Sequence, residues 1–384
     1  MCEEYKRMKK VLFVATVVKT HIMEFHVPYL RMLKEMGWET AVAARNDYEN
    51  PEDCVIPYCD VFYNIPFERS PLHTSNRKAY KELKNVIEDG EYDLIHCHTP
   101  VGAMLARLAA RRSRKRGTKV IYTAHGFHFF QGAPLKNWLL YYPAERFLAR
   151  YTDVLVTINR EDFERAKRFR TGKTVYIPGV GIDTRRFSVS EERGREKRKE
   201  LGIKKEEFVL LSVGELNENK NHMLILQALK HLKEQGVLEG IRYLLCGSGG
   251  SEAQLKDMVM RSGLSECVTF LGYRSDIPEI CGAGDLFLFM SLREGLPVAL
   301  MEAMAGGLPV VCSDIRGNRD LVENGVNGFF AEMNAEDVAT MICKLRENES
   351  LRKSLGSNAK QQIKQFELCN VLEMMKEIYV NEAT

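Results

Sequence analysis

Apolar runs of strand length alternate with amphipathic stretches along the whole chain. The run at 11–18 (VLFVATVV) is apolar but for Thr16 and reads as a strand, and 26–37 (HVPYLRMLKEMG) repeats its apolar positions at helical spacing before a terminating glycine. Further strands are predicted at 39–44 (ETAVAA), 93–98 (DLIHCH), 119–125 (KVIYTAH), 153–159 (DVLVTIN) and 174–179 (TVYIPG). The pattern then restarts with strands at 208–216 (FVLLSVGEL), 243–249 (YLLCGSG), 267–273 (CVTFLGY), 285–291 (DLFLFMS) and 308–314 (LPVVCSD), separated by helical stretches. The segment 190–207 is highly charged and predicts a surface helix just after the join. From NAEDVATMICKLRENES onward the chain reads as wholly helical.

Strands separated by helices imply βαβ units and parallel sheets. The prediction is an α/β chain of two Rossmann-like domains. An amino-terminal domain spans 1–185, a second spans 186–365, and the helix at 366–384 returns to the first. In open parallel sheets ligands bind beyond the carboxyl ends of the strands, so the expected site is a cleft that both domains face.

Composition narrows the class. At 384 residues and 45% apolar content the chain can build two cores, and no apolar run is long enough to span a bilayer. The first apolar run is too short for a signal-peptide core and lacks a small-residue cleavage site, which predicts a cytoplasmic protein. Ten cysteines, from Cys2 to Cys369, form no CxxC pair and several lie in apolar runs. They read as reduced, mostly buried thiols. A net charge of +3 is too small to argue for nucleic acid.

Candidate chemistry centres on 294–311, EGLPVALMEAMAGGLPVV. Pro297 favours a helix start, so Glu294 falls on the entering loop and Glu302 inside the helix. Eight helical steps span at most about 12 Å. That reach suits an extended ligand with hydroxyls at each end and a phosphate at the helix N-terminus. A capping Glu294 and a solvated Glu302 fit the spacing equally.

The stretch EGLPVALMEAMAGGLPVVCSDIRGNRDLVENGVNGFF closely resembles the donor site of glycosyltransferase family 4, whose members are retaining enzymes of the GT-B fold using nucleotide sugars. The resemblance implies that Glu294 contacts the donor sugar and Glu302 the ribose, with the diphosphate near Gly295, Leu296 and Pro297. In SVGELNENKNH it implies that Lys220, beside Gly214, binds the diphosphate. Many members carry an arginine where this chain has Glu215. Either another cation such as Arg293 substitutes, or Glu215 points away. FLGYRSDIPEI resembles the loop that receives the base through backbone near Arg274, with Tyr273 and Ile277 as apolar walls; uracil is the commonest base in similar enzymes.

In the amino-terminal half, 122–166 with its HGFHF core resembles bacterial exopolysaccharide and capsule glycosyltransferases. This implies that His125 contacts the reacting sugar and phosphate. His128 either orients the loop or meets the acceptor. Relatives carry a Gly-Gly turn after the first strand, whereas this chain has VVKTHIMEFHVPYL. Lys19, Thr20 and His21 are candidate acceptor-side contacts, or the segment is a plain connecting loop. A competing reading takes His96, His98, His125 and His128 as metal ligands, but no nearby carboxylate or thiolate cluster completes a site, and the resemblance implies an enzyme that needs no metal. No metal or other cofactor is expected beyond the nucleotide-sugar substrate.

The run ARLAARRSRKRGTK is a solvated face by default. Because the suspected acceptor is lipid-linked, Arg107, Arg111, Arg112, Arg114, Lys115 and Arg116 are also candidate contacts with anionic lipid, each contributing about 1 kcal/mol. They predict a peripheral location on the inner face of the plasma membrane. The expected reaction is sugar transfer from a UDP-sugar to a lipid-linked saccharide in exopolysaccharide or capsule synthesis. No carboxylate stands out as a nucleophile for double displacement. The alternatives are a UDP-sugar 2-epimerase of the same architecture, and a non-catalytic nucleotide-sugar-binding protein.

Overall fold

The computed structural model describes residues 7–383, so Cys2 lies outside the described residues. The chain divides into two compact units. One runs to Gly181 and takes in Leu368 onward; the other is Ile182–Glu367.

Seven parallel strands form the sheet of the first unit: β1 (Lys10–Val17), β2 (Glu39–Arg45), β3 (Val61–Asn64), β4 (Leu94–Cys97), β5 (Lys119–Ala124), β6 (Val154–Thr157) and β7 (Lys173–Tyr176). Their spatial order is β3-β2-β1-β4-β5-β6-β7. The order reverses between β1 and β4, where Phe13 pairs with His96 and Val14 with Cys97. Strand alternation explains why β1 is apolar from Val11 to Ala15. Leu12 and Val14 enter one core with Ile95, Val120 and Tyr122. Val11, Phe13 and Ala15 enter the opposite core with Leu94, Ile121 and Val154. The closing helix Leu368–Glu382 supplies Val371, Met375, Ile378 and Tyr379 to that second core.

The second unit holds β8 (Phe208–Val213), β9 (Ile241–Cys246), β10 (Val268–Gly272), β11 (Leu286–Phe289), β12 (Val310–Ser313) and β13 (Gly328–Ala331). Their order is β10-β9-β8-β11-β12-β13, again all parallel, and it reverses between β8 and β11. Each unit is therefore a doubly wound sheet with its own switch point, where such folds bind ligands. The charged segment forms the helix Glu191–Glu200, capped by the Ser190 side chain.

Two features depart from the predicted pattern. The short strands β3 and β13 carry too few apolar positions to stand out in sequence. The segment after β1 is neither a glycine turn nor a plain loop but a π-helix, Val18–His26, which runs directly into the α-helix Val27–Glu35. The nine cysteines among the described residues are all free thiols, five of them buried.

Candidate active site

In the second unit two of the predicted donor residues, Lys220 and Glu294, meet at the switch point. Lys220 ends a single 3-10 turn, Glu218–Lys220, in the loop after β8. The Asn217 side chain accepts from the Lys220 backbone N–H at 3.0 Å and fixes that turn. Asn219 ties it to the loop after β11: its side chain donates to the Arg293 carbonyl at 2.9 Å, and its own carbonyl accepts from Leu292 N–H at 2.8 Å. This stitching brings Lys220 Nζ to 2.7 Å from Glu294 Oε1, with both side chains largely buried. The ammonium also lies 4.7 Å from the Phe289 ring centroid. A Cβ on Gly214 would meet the Lys220 methylenes at 3.3 Å, so glycine there leaves room for the lysine stem.

Glu294, Gly295 and Leu296 form the loop before the helix Val298–Ala305, with Pro297 at its N-cap rather than in its first turn. Glu302 lies within that helix. Gly317, at φ +83°, sits against this loop; a Cβ there would stand 2.4 Å from the Gly295 carbonyl oxygen. The neighbouring Arg316, which sequence reasoning did not single out, is only 5% exposed and donates through Nε to the Glu294 carbonyl at 3.1 Å. Its signal was the arginine before a turn glycine in DIRGNRD, a pattern that also describes ordinary loops.

Other donor-side expectations resolve differently. Glu215 is exposed and accepts from the Asn217 side chain at 2.9 Å, whereas the Lys220 ammonium pairs with Glu294. The Arg293 side chain is exposed, and what the loop uses is its carbonyl. The Arg274 guanidinium is committed to Asp276 through two bonds of 2.7 and 2.6 Å, which leaves its backbone for other partners. Arg274, with Lys197, holds the Asp276 carboxyl well below the usual carboxylate range. Tyr273 is 80% exposed, so it walls nothing off in this state.

In the first unit the carboxyl ends of β1, β4 and β5 carry histidines. The π-helix is what gathers two of them. His21 and His26 are five positions apart, which an α-helix would set about 140° apart around its axis. The wider turn aligns them, with ring centroids 4.9 Å apart. His98 follows β4 and stacks on His26 at 3.8 Å, and His125 follows β5 with Nε2 3.3 Å from His98 Nδ1. Burial pushes the His125 pKa down to about 4, and holds those of His21, His26 and His98 well below the usual value. All four rings are therefore neutral near pH 7.

This grouping corrects the sequence-based set. His96 shares its face with His98, but both its nitrogens are taken, by Tyr379 Oη at 2.6 Å and Thr123 Oγ1 at 2.8 Å. His128 stacks on Tyr141 instead, at 4.6 Å. Lys19 and Thr20 are exposed, with the Lys19 ammonium over Tyr48, so only His21 of that trio turns inward. Arg107 is not a surface cation. It is 1% exposed, pairs with Glu145 at 2.8 Å and covers the Tyr122 ring at 4.1 Å, because it lies on the buried face of the helix Pro100–Ala109. Arg114 is tied to Asp153 at 2.6 Å, whereas Arg112 is 73% exposed.

Comparison with known proteins decides the class. Residues 10–159 match the family model described as glycosyl transferase 4-like, and residues 194–362 match that of glycosyl transferases group 1. Over 378 residues, 97% of this chain and 96% of the other, the sequence is 41% identical to EpsD of Bacillus subtilis (strain 168), a glycosyltransferase by name. The chain belongs to glycosyltransferase family 4.

Another relative is the Escherichia coli UDP-Gal:alpha-D-GlcNAc-diphosphoundecaprenol alpha-1,3-galactosyltransferase, 30% identical over 79% of each chain. The fold is shared with Anabaena HepE in complex with UDP-glucose (TM-score 0.79, 21% identity, 97% of this chain and 99% of that one). It is also shared with WaaG, a glycosyltransferase involved in lipopolysaccharide biosynthesis (TM-score 0.73, 17% identity, 96% and 99%). This family 4 enzyme thus has the GT-B fold. Among its described residues no helix is long and apolar enough to cross a membrane.

Proposed function

We propose that this enzyme transfers a sugar from a UDP-sugar to a lipid-linked saccharide during bacterial exopolysaccharide assembly, with retention at the anomeric carbon. The observation that carries the donor assignment is the Lys220–Glu294 pair at the β8/β11 switch point. A diphosphate arriving there meets a compact ammonium and the N-terminus of the helix Val298–Ala305, both suited to phosphate. Lys220 then stabilises charge developing on the leaving diphosphate. Released from Lys220, the Glu294 carboxylate accepts hydroxyls of the sugar, and Glu302 accepts those of the ribose. Arg316 positions Glu294 by holding its carbonyl. His125 contacts the transferred sugar. The carboxylates hold the donor, and none is assigned as a nucleophile. The lipid-linked acceptor is supported by the names of two relatives, the Escherichia coli enzyme above and a Campylobacter jejuni N,N'-diacetylbacillosaminyl-diphospho-undecaprenol alpha-1,3-N-acetylgalactosaminyltransferase.

A bilayer-facing surface on the first unit fits such an acceptor. The helix Leu135–Leu148 turns Trp138 and Tyr142 inward against Phe129, yet exposes Leu135, Leu139 and Leu140 by 72%, 67% and 66%. Apolar side chains this exposed on one helix need a partner. Its end continues into a groove of about 630 Å³ lined by Arg111, Arg112, Lys115 and Arg150. The peripheral contact therefore rests on these leucines and basic groups, without Arg107.

A donor screen tests the function. Purified enzyme is incubated with UDP-sugars and undecaprenyl-diphosphate-linked saccharides, and UDP release is measured. One donor is expected to release UDP only when acceptor is present. Conversion of a donor without acceptor would point to an epimerase, and UDP binding without release to a non-catalytic protein.

A further inference from the structure

The histidines gathered at the carboxyl ends of β1, β4 and β5 have one property the transfer reaction leaves unexplained. Buried polar atoms are nearly always paired, because an unpaired one forfeits its water without return. Here both ring nitrogens of His26, the Nε2 of His98 and the Nε2 of His21 are buried without a hydrogen-bond partner. His26 and His98 are each only 1% exposed. One nitrogen from each of His21, His26, His98 and His125 lies within 4.8 Å of the other three.

We propose that His21, His26, His98 and His125 form an all-nitrogen binding site for a borderline divalent cation, of which Zn²⁺ is the probe. The chemistry of the donor set fits. Neutral imidazole is a preferred zinc ligand, and four of them complete a tetrahedral shell. Tetrahedral zinc with nitrogens at about 2.1 Å sets those nitrogens about 3.4 Å apart. His98 Nδ1 and His125 Nε2 already stand at 3.3 Å. A cation shared there takes the lone pairs of both nitrogens and uses His98 through Nδ1, so the unpartnered nitrogens it can take up are those of His21 and one of His26.

The surroundings hold the rings in place. Phe13 packs against His26 and His98, with ring centroids 6.0 and 5.9 Å away. The π-helix fixes the otherwise unfavourable five-residue spacing of His21 and His26. His96, locked by Tyr379 and Thr123, backs His98 at 4.0 Å without offering a ligand atom. His21 and His125 are only part-buried, which leaves a route for the ion. Burial first, then the His125 and Arg69 charges, lowers the basicity of His21, and the Arg69 charge works against a cation here, so binding has to come from ligand number and geometry.

The test uses neither donor nor acceptor, so its outcome is separate from that of the transferase reading. Full-length protein stripped with chelator is titrated with Zn²⁺ against a chromophoric competitor, and Co²⁺ is followed by visible absorption. The expected result is one ion per chain, an intense tetrahedral Co²⁺ band, and an affinity lowered at least about tenfold in H26Q and in H98Q. H128Q, whose parent ring stands on Tyr141, keeps wild-type affinity. Circular dichroism checks each fold. Should the buried variants fail to fold, H21Q at the part-exposed edge and the wild-type Co²⁺ spectrum decide. No saturable binding, a weak octahedral Co²⁺ spectrum, or unchanged affinity in a folded H26Q, H98Q or H21Q overturns the proposal.

Discussion

Lys220 Nζ lies 2.7 Å from Glu294 Oε1, although 74 positions separate the two residues in sequence. The pair joins the loops after the two strands that flank the switch point of the second unit. In the proposed mechanism an arriving donor takes the ammonium with its diphosphate and frees the carboxylate for hydroxyls.

Glu294 and Glu302 should separate kinetically. Glu302→Gln weakens ribose binding in ground and transition states alike, so donor KM rises about tenfold while kcat is kept. Glu294→Gln acts on the sugar as it departs and lowers kcat. Steady-state UDP release against donor concentration distinguishes the two. An identical KM effect in both variants contradicts the assigned ends.

Arg107 and Arg112 should differ in stability although both lie in the same basic run. Arg107→Ala empties a buried site and strands the partly buried Glu145 carboxylate, and is expected to cost about 3–5 kcal/mol. Arg112→Ala, at an exposed position, should change stability by less than about 0.5 kcal/mol. Urea unfolding midpoints measure both. Equal, small effects would return Arg107 to the surface.

His222 predicts a pH dependence in the second unit. Burial, then the nearby Lys220 charge, lowers its pKa to about 4. In the unfolded chain it titrates near its ordinary value of about 6.5. Above that pH the imidazole is neutral in both states and has no effect. Between about 6.5 and 4 the unfolded state binds the proton first, so stability falls as pH falls, by up to about 3 kcal/mol. H222Q should flatten this part of the stability profile. Superimposable wild-type and H222Q slopes between these pH values count against the assignment.

The leucine ridge should matter more for membrane contact than any single basic residue. L139E/L140E is expected to lose flotation with anionic vesicles while UDP release with a detergent-solubilised acceptor persists. Unchanged flotation removes the ridge from the account.

The sequence carried much of this. Strands buried on both faces announce themselves as apolar runs, as β11 does throughout and β1 and β8 do apart from single polar residues, Thr16 and Ser212, within them. Glu294 and Glu302 stood out through the resemblance of their segment to a glycosyltransferase donor site, since their spacing alone fits a capping and a solvated residue equally. Three features were hidden for physical reasons. A π-helix has no compositional signature, so the convergence of His21 with His26 could not be read from VVKTHIMEFH. Arg107 looked solvated because its partners, Glu145 and Tyr122, come from distant segments. Arg316 reaches Glu294 only through the packing of Gly317 against Gly295, a backbone contact that no side-chain pattern displays.

The most direct test of the central claim is acceptor-dependent UDP release by wild-type enzyme and by K220A, with folding verified by circular dichroism. The account predicts that one UDP-sugar supports turnover with a lipid-linked saccharide, and that K220A lowers kcat roughly 10²–10³-fold with the fold intact. Turnover by folded K220A at close to the wild-type rate would contradict it.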